Sequence, residues 1–331
     1  RDRSVSRGLG DVYKRQEVEY ADHTSTSIYV KFKFEPEDMA EIYKKAGVQT
    51  EKPLFAVIWT TTPWTIPSNL AICLNAKLEY SLVEYKNEVY TIAQGLLANF
   101  LADNGIEEKD IKILGSLTGA ELENYKTKHP LYNRFSPLLN GDHVTLDAGT
   151  GCVHTAPGHG LEDWEVCQKY GIEVLSPLDS KGCWTSEVPD LEGVPYYKGN
   201  AIVIENLEKA GALMSKADIS HSYPHCWRCK NPVIYRATPQ WFVRVDKFRE
   251  ETLEEIKKVK WIPASGEQRI SNMVSLRSDW CISRQRAWGV PIPVFYCEDC
   301  GEAIVTDETI KKVADLFDKE SSDGWVKHSA E

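Results

Sequence analysis

The chain has 331 residues, 42% apolar and 27% charged, with a formal charge of −10, the composition of a soluble globular protein with room for two domains. No apolar run approaches the roughly eighteen residues that a membrane-spanning helix needs, and no apolar leader opens the sequence, so the expectation is a cytoplasmic chain with no membrane partner. The acidic balance excludes a nonspecific DNA coat but leaves room for an RNA held on a local basic patch.

In chain order, residues 1–16 (RDRSVSRGLGDVYKRQ) are basic and aperiodic and are expected to be extraneous or disordered. STSIYVKFKF (25–34) alternates as a half-buried strand, and PEDMAEIYKKAG (36–47) reads as a helix closed by Gly47. LFAVIWT (54–60) and NLAICLN (69–75) are buried strands, and YSLVEYKNEVYTIA (80–93) is a hairpin turning at Lys86-Asn87. GLLANFLADNG predicts a short helix, and HVTLDAGTGCVHTAP (143–157) two strands around a glycine-rich turn. LEDWEVCQKYG (161–171) and NAIVIENLEKAGAL (200–213) predict helices. Past His221 the chain turns rich in Pro, Cys and aromatics, with helices expected at 247–260 and 266–277 and over DETIKKVADLF. Short strands and helices out of strict alternation indicate an α+β body.

Chemistry-bearing residues concentrate in two stretches. WTTTPWTIPSNLAI (59–72) sets Thr60, Thr61, Thr62 and Thr65 at the end of a buried strand. A threonine hydroxyl both donates and accepts, so the cluster either lines a small polar pocket or is only a strand end built from a good strand former. GTGCVHTAPGHGLEDW (149–164) brings His154, His159 and Asp163 together. That spacing allows a metal-dependent hydrolase, although zinc takes three or four ligands. It equally allows a substrate pocket in which His159, within the PGHG turn, is structural. No Ser-His-Asp or Cys-His arrangement is evident.

Of nine cysteines, Cys226/Cys229 and Cys297/Cys300 form two CxxC pairs, and the others sit beside apolar residues as buried thiols. The pattern fits a reducing compartment with zinc sites rather than a disulfide scaffold. The two pairs could together make one four-cysteine site, but the 67 residues between them are long for one ribbon, so each pair reads as half of a separate site, with unmetallated thiols as the further alternative.

Together, WTTTPWTIPSNLAI and GTGCVHTAPGHGLEDW resemble the editing domain of the bacterial-type isoleucyl-tRNA synthetases, which are class I enzymes. HSYPHCWRCKNPVIYRATPQWFVRVDKFR and DWCISRQRAWGVPIPVFYCEDCG resemble the segments where that chain returns to the catalytic core. The valyl and leucyl enzymes carry TTRPxT where this chain has TTTPWT, which favours the isoleucyl type over those rivals. The resemblance implies an α/β (mixed α+β) fold: a β-rich editing domain over 17–218, inserted in a split Rossmann-type nucleotide-binding core that is partly present over 219–331.

The resemblance also implies site residues. Thr60, Thr61, Thr62, Asn69, His154 and Asp163 would be catalytic, with Trp64 and Thr65 joining Asp163 and His154 in binding substrate. Asp163 would pair with the α-ammonium of the esterified amino acid, His154 would help exclude isoleucine, and the threonines would place the adenosine and the attacking water. The implied reaction is hydrolysis of mischarged Val-tRNA-Ile. The full enzyme would ligate isoleucine to tRNA-Ile with ATP and magnesium, as a monomer. PGHG and LMSKAD (213–218) are only superficially like the HIGH and KMSKS signatures, which are expected outside this chain. Arg284 and Arg286 are expected to contact tRNA or to form ion pairs. A non-catalytic zinc module that docks RNA is the alternative from another class.

Overall fold

The computed structural model describes residues 18–277, 279–284 and 289–328, and 3–4 by backbone alone. Apart from 3–4, the segment 1–16 lies outside the described residues, as does Arg286. The chain forms two compact units, Arg1–Pro239 and Gln240–Glu331.

The first unit is organised by β1 (Val18–Phe34), whose inner half alternates strictly. Ile28, Val30, Phe32 and Phe34 are at most 1% exposed and point to one core, while Tyr29 packs in a second core on the opposite face, as a period of two requires. Helix α1 (Pro36–Lys45) follows, with proline in its first turn, Glu37 and Asp38 at its positive end and Lys44 and Lys45 at its negative end. It buries Ile42 and Tyr43, and Gly47 (φ 66°) ends it in the left-handed region.

Strand β2 (Leu54–Thr60) is apolar except at its last residue. A 3-10 turn (Pro63–Ser68) leads into β3 (Ala71–Leu74), and β4 (Glu79–Tyr85) and β5 (Glu88–Ala93) form the expected hairpin around Lys86-Asn87, Lys86 at φ 55°. Helix α2 (Leu97–Asp103), β6 (Ile111–Thr118), β7 (Lys126–Lys128), β8 (Phe135–Asn140), β9 (Val153–Thr155), helix α3 (Leu161–Lys169), helix α4 (Tyr196–Lys209) and β10 (Leu213–Cys226) complete the unit. The ten-stranded mixed sheet runs β10-β1-β7-β8-β3-β9-β2-β5-β4-β6, with β1 also paired to β2. That extra pairing closes β1, β7, β8, β3, β9 and β2 into a ring of six strands around the larger core.

Three features depart from the sequence expectations. Residues 143–152 are not a strand; only β9 pairs, because Gly149 (φ 81°) and Gly151 (φ 78°) turn the backbone against Trp59 and Ala93. Strands β6, β7, β8 and β10 carry too little regular apolar alternation to announce themselves. LMSKAD opens β10 rather than closing a helix, because β10 is a polar ribbon paired with β1, Ser215 opposite Tyr29 through Cys226 opposite Val18. That ribbon runs through 218/219 and past the compositional change at His221, and the compact units part after Pro239.

The second unit contains α5 (Arg249–Lys258), α6 (Ser265–Ser275) and α7 (Asp307–Glu320), the last opened by a Thr306–Thr309 capping box. Its described strand pairs, Phe242–Val243 with Trp280–Cys281 and Phe295–Tyr296 with Ala303–Ile304, are short and antiparallel. Among the described residues no helix is long and apolar enough to cross a membrane.

Gly151 tests the turn that forms the loop. A Cβ there would lie 2.4 Å from the Ala93 Cβ, on a backbone that L residues avoid, whereas Gly47 has left-handed φ but open space around it. We expect Gly151→Ala to cost about 2–4 kcal/mol and Gly47→Ala about 1 kcal/mol by urea denaturation; equal costs would contradict this account of the loop.

Candidate active site

Parallel pairing of β9 with β2, Val153 opposite Trp59, brings the ends of the two motif strands side by side. On the other edge β9 pairs antiparallel with β3, His154 opposite Ile72. A cavity of about 320 Å³ opens there, lined by Thr60, Thr61, Thr62, Thr65, His154 and Asp163, with His159, Trp59 and the 148–153 backbone completing the wall.

The 3-10 turn that carries Thr65 is wholly buried and rigidly held. His129 Nε2 donates to the Ile66 carbonyl (2.9 Å), its Nδ1 accepting the Leu131 and Tyr132 amides, and Arg134 donates to the Pro67 carbonyl. Within the turn the hydroxyls touch in series: Thr60 to Thr62 at 3.1 Å and Thr62 to Thr65 at 3.3 Å, with Thr65 donating to the Thr62 carbonyl at 2.8 Å.

His154 joins this cluster to the strand behind it. Asn69 Nδ2 donates both to the Ala71 carbonyl and to His154 Nδ1, each at 2.8 Å. The carbonyl fixes which end of the amide is NH2, so His154 Nδ1 must accept, and Nε2 carries the proton that goes to Thr65 Oγ1 at 2.9 Å. Burial, with His159 and Arg134 nearby, pushes the imidazole pKa down to about 3, so His154 is neutral.

His159 is committed in the same way. Its Nδ1 donates to the Tyr235 carbonyl (3.0 Å), its Nε2 accepts from Ser68 Oγ (3.0 Å), and its pKa is pushed down to about 4, mainly by burial. Neither imidazole has a lone pair left for a metal. The hydrolase suggested by the His154, His159, Asp163 spacing would have to break the Asn69 and Ser68 bonds first. Among the described residues no group of three or more His, Cys, Asp or Glu is arranged to hold a metal ion.

Asp163 stands in the first turn of α3, where the helix N-terminus favours negative charge. Its Oδ2 accepts the Ala156 amide at 2.9 Å. Burial nevertheless pushes its pKa up to about 6. The wall therefore offers one carboxylate and a row of hydroxyls, with no free imidazole base and no activated nucleophile among its described side chains.

Two expected site residues stand behind this wall. Trp64 is 5% exposed and packs edge-on against His159, Trp184 and Tyr196, its amide donating to Asn200 Oδ1; the indole belongs to the core rather than to the cavity lining. Asn69 is fully buried and touches the cavity only through His154. Sequence reasoning overlooked Ser136, which donates to Asn69 Oδ1 at 2.6 Å, together with Ser68, His129 and Arg134. Ser136, His129 and Arg134 lie outside either motif, and Ser68 sits in the first motif without a signal of its own; their partners become visible only once the ring closes.

The two CxxC pairs adopt one turn. Cys226 N–H donates to the Asn231 carbonyl and Lys230 N–H to the Cys226 carbonyl; Cys297 and Gly301 repeat this with Glu302 and Cys297. Lys230 and Gly301 are both left-handed, at φ 58° and 67°. Amides of Cys229 and Arg228, and of Cys300 and Asp299, hold the Cys226 and Cys297 thiols below their usual pKa. Each turn fits two of the four ligands of a structural zinc.

The buried histidines predict how stability follows pH. His129, His154 and His159 are depressed to about 3, 3 and 4, so their contribution is complete above the unfolded value of about 6.5 and is lost as pH falls toward the folded values. Asp163, raised to about 6, acts oppositely: the fold favours its protonated form, and stability is lost as pH rises between about 4 and 6. Near pH 5 these four groups together predict uptake of about two protons on unfolding, or about 2.7 kcal/mol lost per unit of acidification. Urea titrations at pH 4.5–6.5 measure this; a flat profile would contradict the tautomers and burial described.

The family model for tRNA synthetases class I (I, L, M and V) matches residues 10–331. An isoleucine–tRNA ligase of Caldanaerobacter subterraneus subsp. tengcongensis is 53% identical over 315 residues, 95% of this chain and 33% of that protein. The isoleucine–tRNA ligase of Brevibacillus brevis is 51% identical, with 95% and 33% covered. The chain thus spans about a third of the length of these relatives. Among solved structures, the P.knowlesi cytosolic leucyl-tRNA synthetase editing domain aligns with 57% of this chain and 95% of its own, at 15% identity and a TM-score of 0.46. From the family match, the chain belongs to the class I tRNA synthetases of the I, L, M and V group, with isoleucine–tRNA ligases among its relatives.

Proposed function

We propose that the cavity hydrolyses the ester bond of a mischarged aminoacyl-tRNA, releasing valine from tRNA-Ile. The observation that carries this is Asp163, a carboxylate that shares the wall of a small cavity with a row of hydroxyls. An α-ammonium entering there meets a charge-assisted acceptor, which selects aminoacyl esters from other esters. The ester is already activated, so a water placed beside the carbonyl carbon by Thr60 and Thr62 suffices without a strong base. This suits a neutral His154, whose ring takes up space at the back of the cavity and limits the side chain admitted.

The need for such a step is energetic. One methylene is worth only about 1–3 kcal/mol of discrimination, a limit for which isoleucyl-tRNA synthetases are themselves the standing example. A second pocket that admits valine and rejects isoleucine supplies the remainder. Relatives near 50% identity that are isoleucine–tRNA ligases support the isoleucyl over the valyl or leucyl type.

In this reading 17–218 is the editing domain and 219–331 belongs to the catalytic core. The setting is a cytoplasmic, monomeric ligase that joins isoleucine to tRNA-Ile with ATP and magnesium. Cys226 with Cys229, and Cys297 with Cys300, each contribute half of a zinc site that stabilises its turn.

Single-turnover deacylation of Val-tRNA-Ile and Ile-tRNA-Ile, with and without EDTA, tests the proposal. Valine should be lost selectively and without EDTA sensitivity. kcat/KM should rise with pH through about 6 as Asp163 ionises. Asp163→Asn should lower it by at least about thirtyfold, the cost of leaving a buried charge unpaired. EDTA-abolished hydrolysis by a folded chain would instead support the metal-dependent hydrolase, and tight RNA binding without hydrolysis the docking module.

A further inference from the structure

The polar chain behind the cavity has a direction. Ser136 and Asn69 are both fully buried. The Ser136 hydroxyl donates to Asn69 Oδ1, whose amide NH2 is thereby turned toward Ala71 and His154. His154 Nδ1 accepts, so Nε2–H donates to Thr65 Oγ1. The single Thr65 proton goes to the Thr62 carbonyl. Thr65 Oγ1 therefore accepts from Thr62, and Thr62 Oγ1 in turn accepts from Thr60. Thr60 Oγ1 also accepts the Thr62 amide at 3.1 Å. Every hydroxyl proton in the row is spent inside the wall, and what remains for the cavity is lone pairs.

Resting on the editing function proposed above, we propose that Ser136, which does not line the cavity, is a positioning residue for the hydrolysis. Through Asn69 it holds His154 as the Nε2–H tautomer, which donates to Thr65 Oγ1 and leaves the Thr65 proton on the Thr62 carbonyl, so that the row that accepts from the attacking water is held in place. A water donating to Thr60 or Thr62 presents its own lone pair to the ester carbon. The opposite tautomer would set His154 Nδ1–H against the Asn69 NH2, donor against donor. Relief requires turning the Asn69 amide, which puts its oxygen against the Ala71 carbonyl and withdraws it from the Ser136 proton. His154 Nε2 would then accept from Thr65, drawing the Thr65 proton off the Thr62 carbonyl, and Thr65 Oγ1 would lose the Nε2–H donor that anchors the row, so the acceptors that hold the water would shift.

The test is the tautomer itself, read from long-range ¹H–¹⁵N correlations of the His154 ring in the uniformly labelled full chain near pH 7. The unmodified chain should show one neutral form, protonated at Nε2. Ser136→Ala should bring in the Nδ1–H form and slow single-turnover deacylation of Val-tRNA-Ile by about tenfold, the scale of one misplaced buried hydrogen bond, with KM little changed. Ser136→Thr, which keeps the hydroxyl, should restore both. A wild-type His154 protonated at Nδ1 overturns the proposal even if no variant folds. So does a folded Ser136→Ala that keeps both the Nε2–H form and the full rate. A wild-type chain with the expected tautomer but no deacylation overturns the editing function, and with it the catalytic use of Ser136, while leaving the hydrogen-bond order established.

Discussion

The hydrogen bond from Asn69 to His154, 2.8 Å long and bridging 85 residues of sequence, is the constraint on which the site depends. It forms because β9 is wedged between β2 and β3, which sets His154 beside the residue that precedes β3. Once made, it fixes the amide, the imidazole tautomer and the Thr65 hydroxyl in turn. A buried network of this kind is worth having only when every buried member is satisfied, and here every donor from Ser136 to Thr60 finds an acceptor, with lone pairs left only at the cavity wall. The same closure occupies both nitrogens of His154, and separate bonds to Ser68 and Tyr235 occupy those of His159, an arrangement that favours the substrate-pocket reading over the metal site.

Electrostatics divide the labour inside the cavity. The two histidines are neutral because burial penalises their charged forms. Asp163 feels the same penalty but also has the Ala156 amide and a helix N-terminus in its favour, and it ionises near the lower edge of neutrality. An incoming ammonium would lower its pKa further, so substrate binding completes the charge it needs. In the proposed function, a cavity prepared in this way would spend its single carboxylate on recognition and leave attack to an oriented water.

Much of this architecture is legible in the amino-acid sequence. Strict alternation marks the inner half of β1, because burial on one sheet face writes itself as a period of two, and the unbroken apolar run LFAVIWT matches β2 to the residue. The two motifs contain every residue that lines the cavity except Ala148. What the sequence hides is the supporting layer. Ser136, His129 and Arg134 lie in a stretch without motif or periodicity, and their partners are backbone carbonyls and a buried amide far away in sequence. The ribbon of β10 is hidden for a different reason: its pairing is set by backbone hydrogen bonds to β1, while its side chains are polar and half exposed. Trp64 shows the opposite failure, since membership of the motif suggests substrate contact where packing against Trp184 and Tyr196 is what the position provides.

The central claim is that Asp163 recognises the ammonium of an aminoacyl ester. Calorimetric titration of the chain with a non-hydrolysable amide analogue, 3′-valylamino-3′-deoxyadenosine, measures this without any chemistry, especially when paired with the same molecule lacking the α-amino group. The account predicts binding of the first and at least about thirtyfold weaker binding of the second, the cost of an unpaired buried charge. Equal affinity for the two would contradict it.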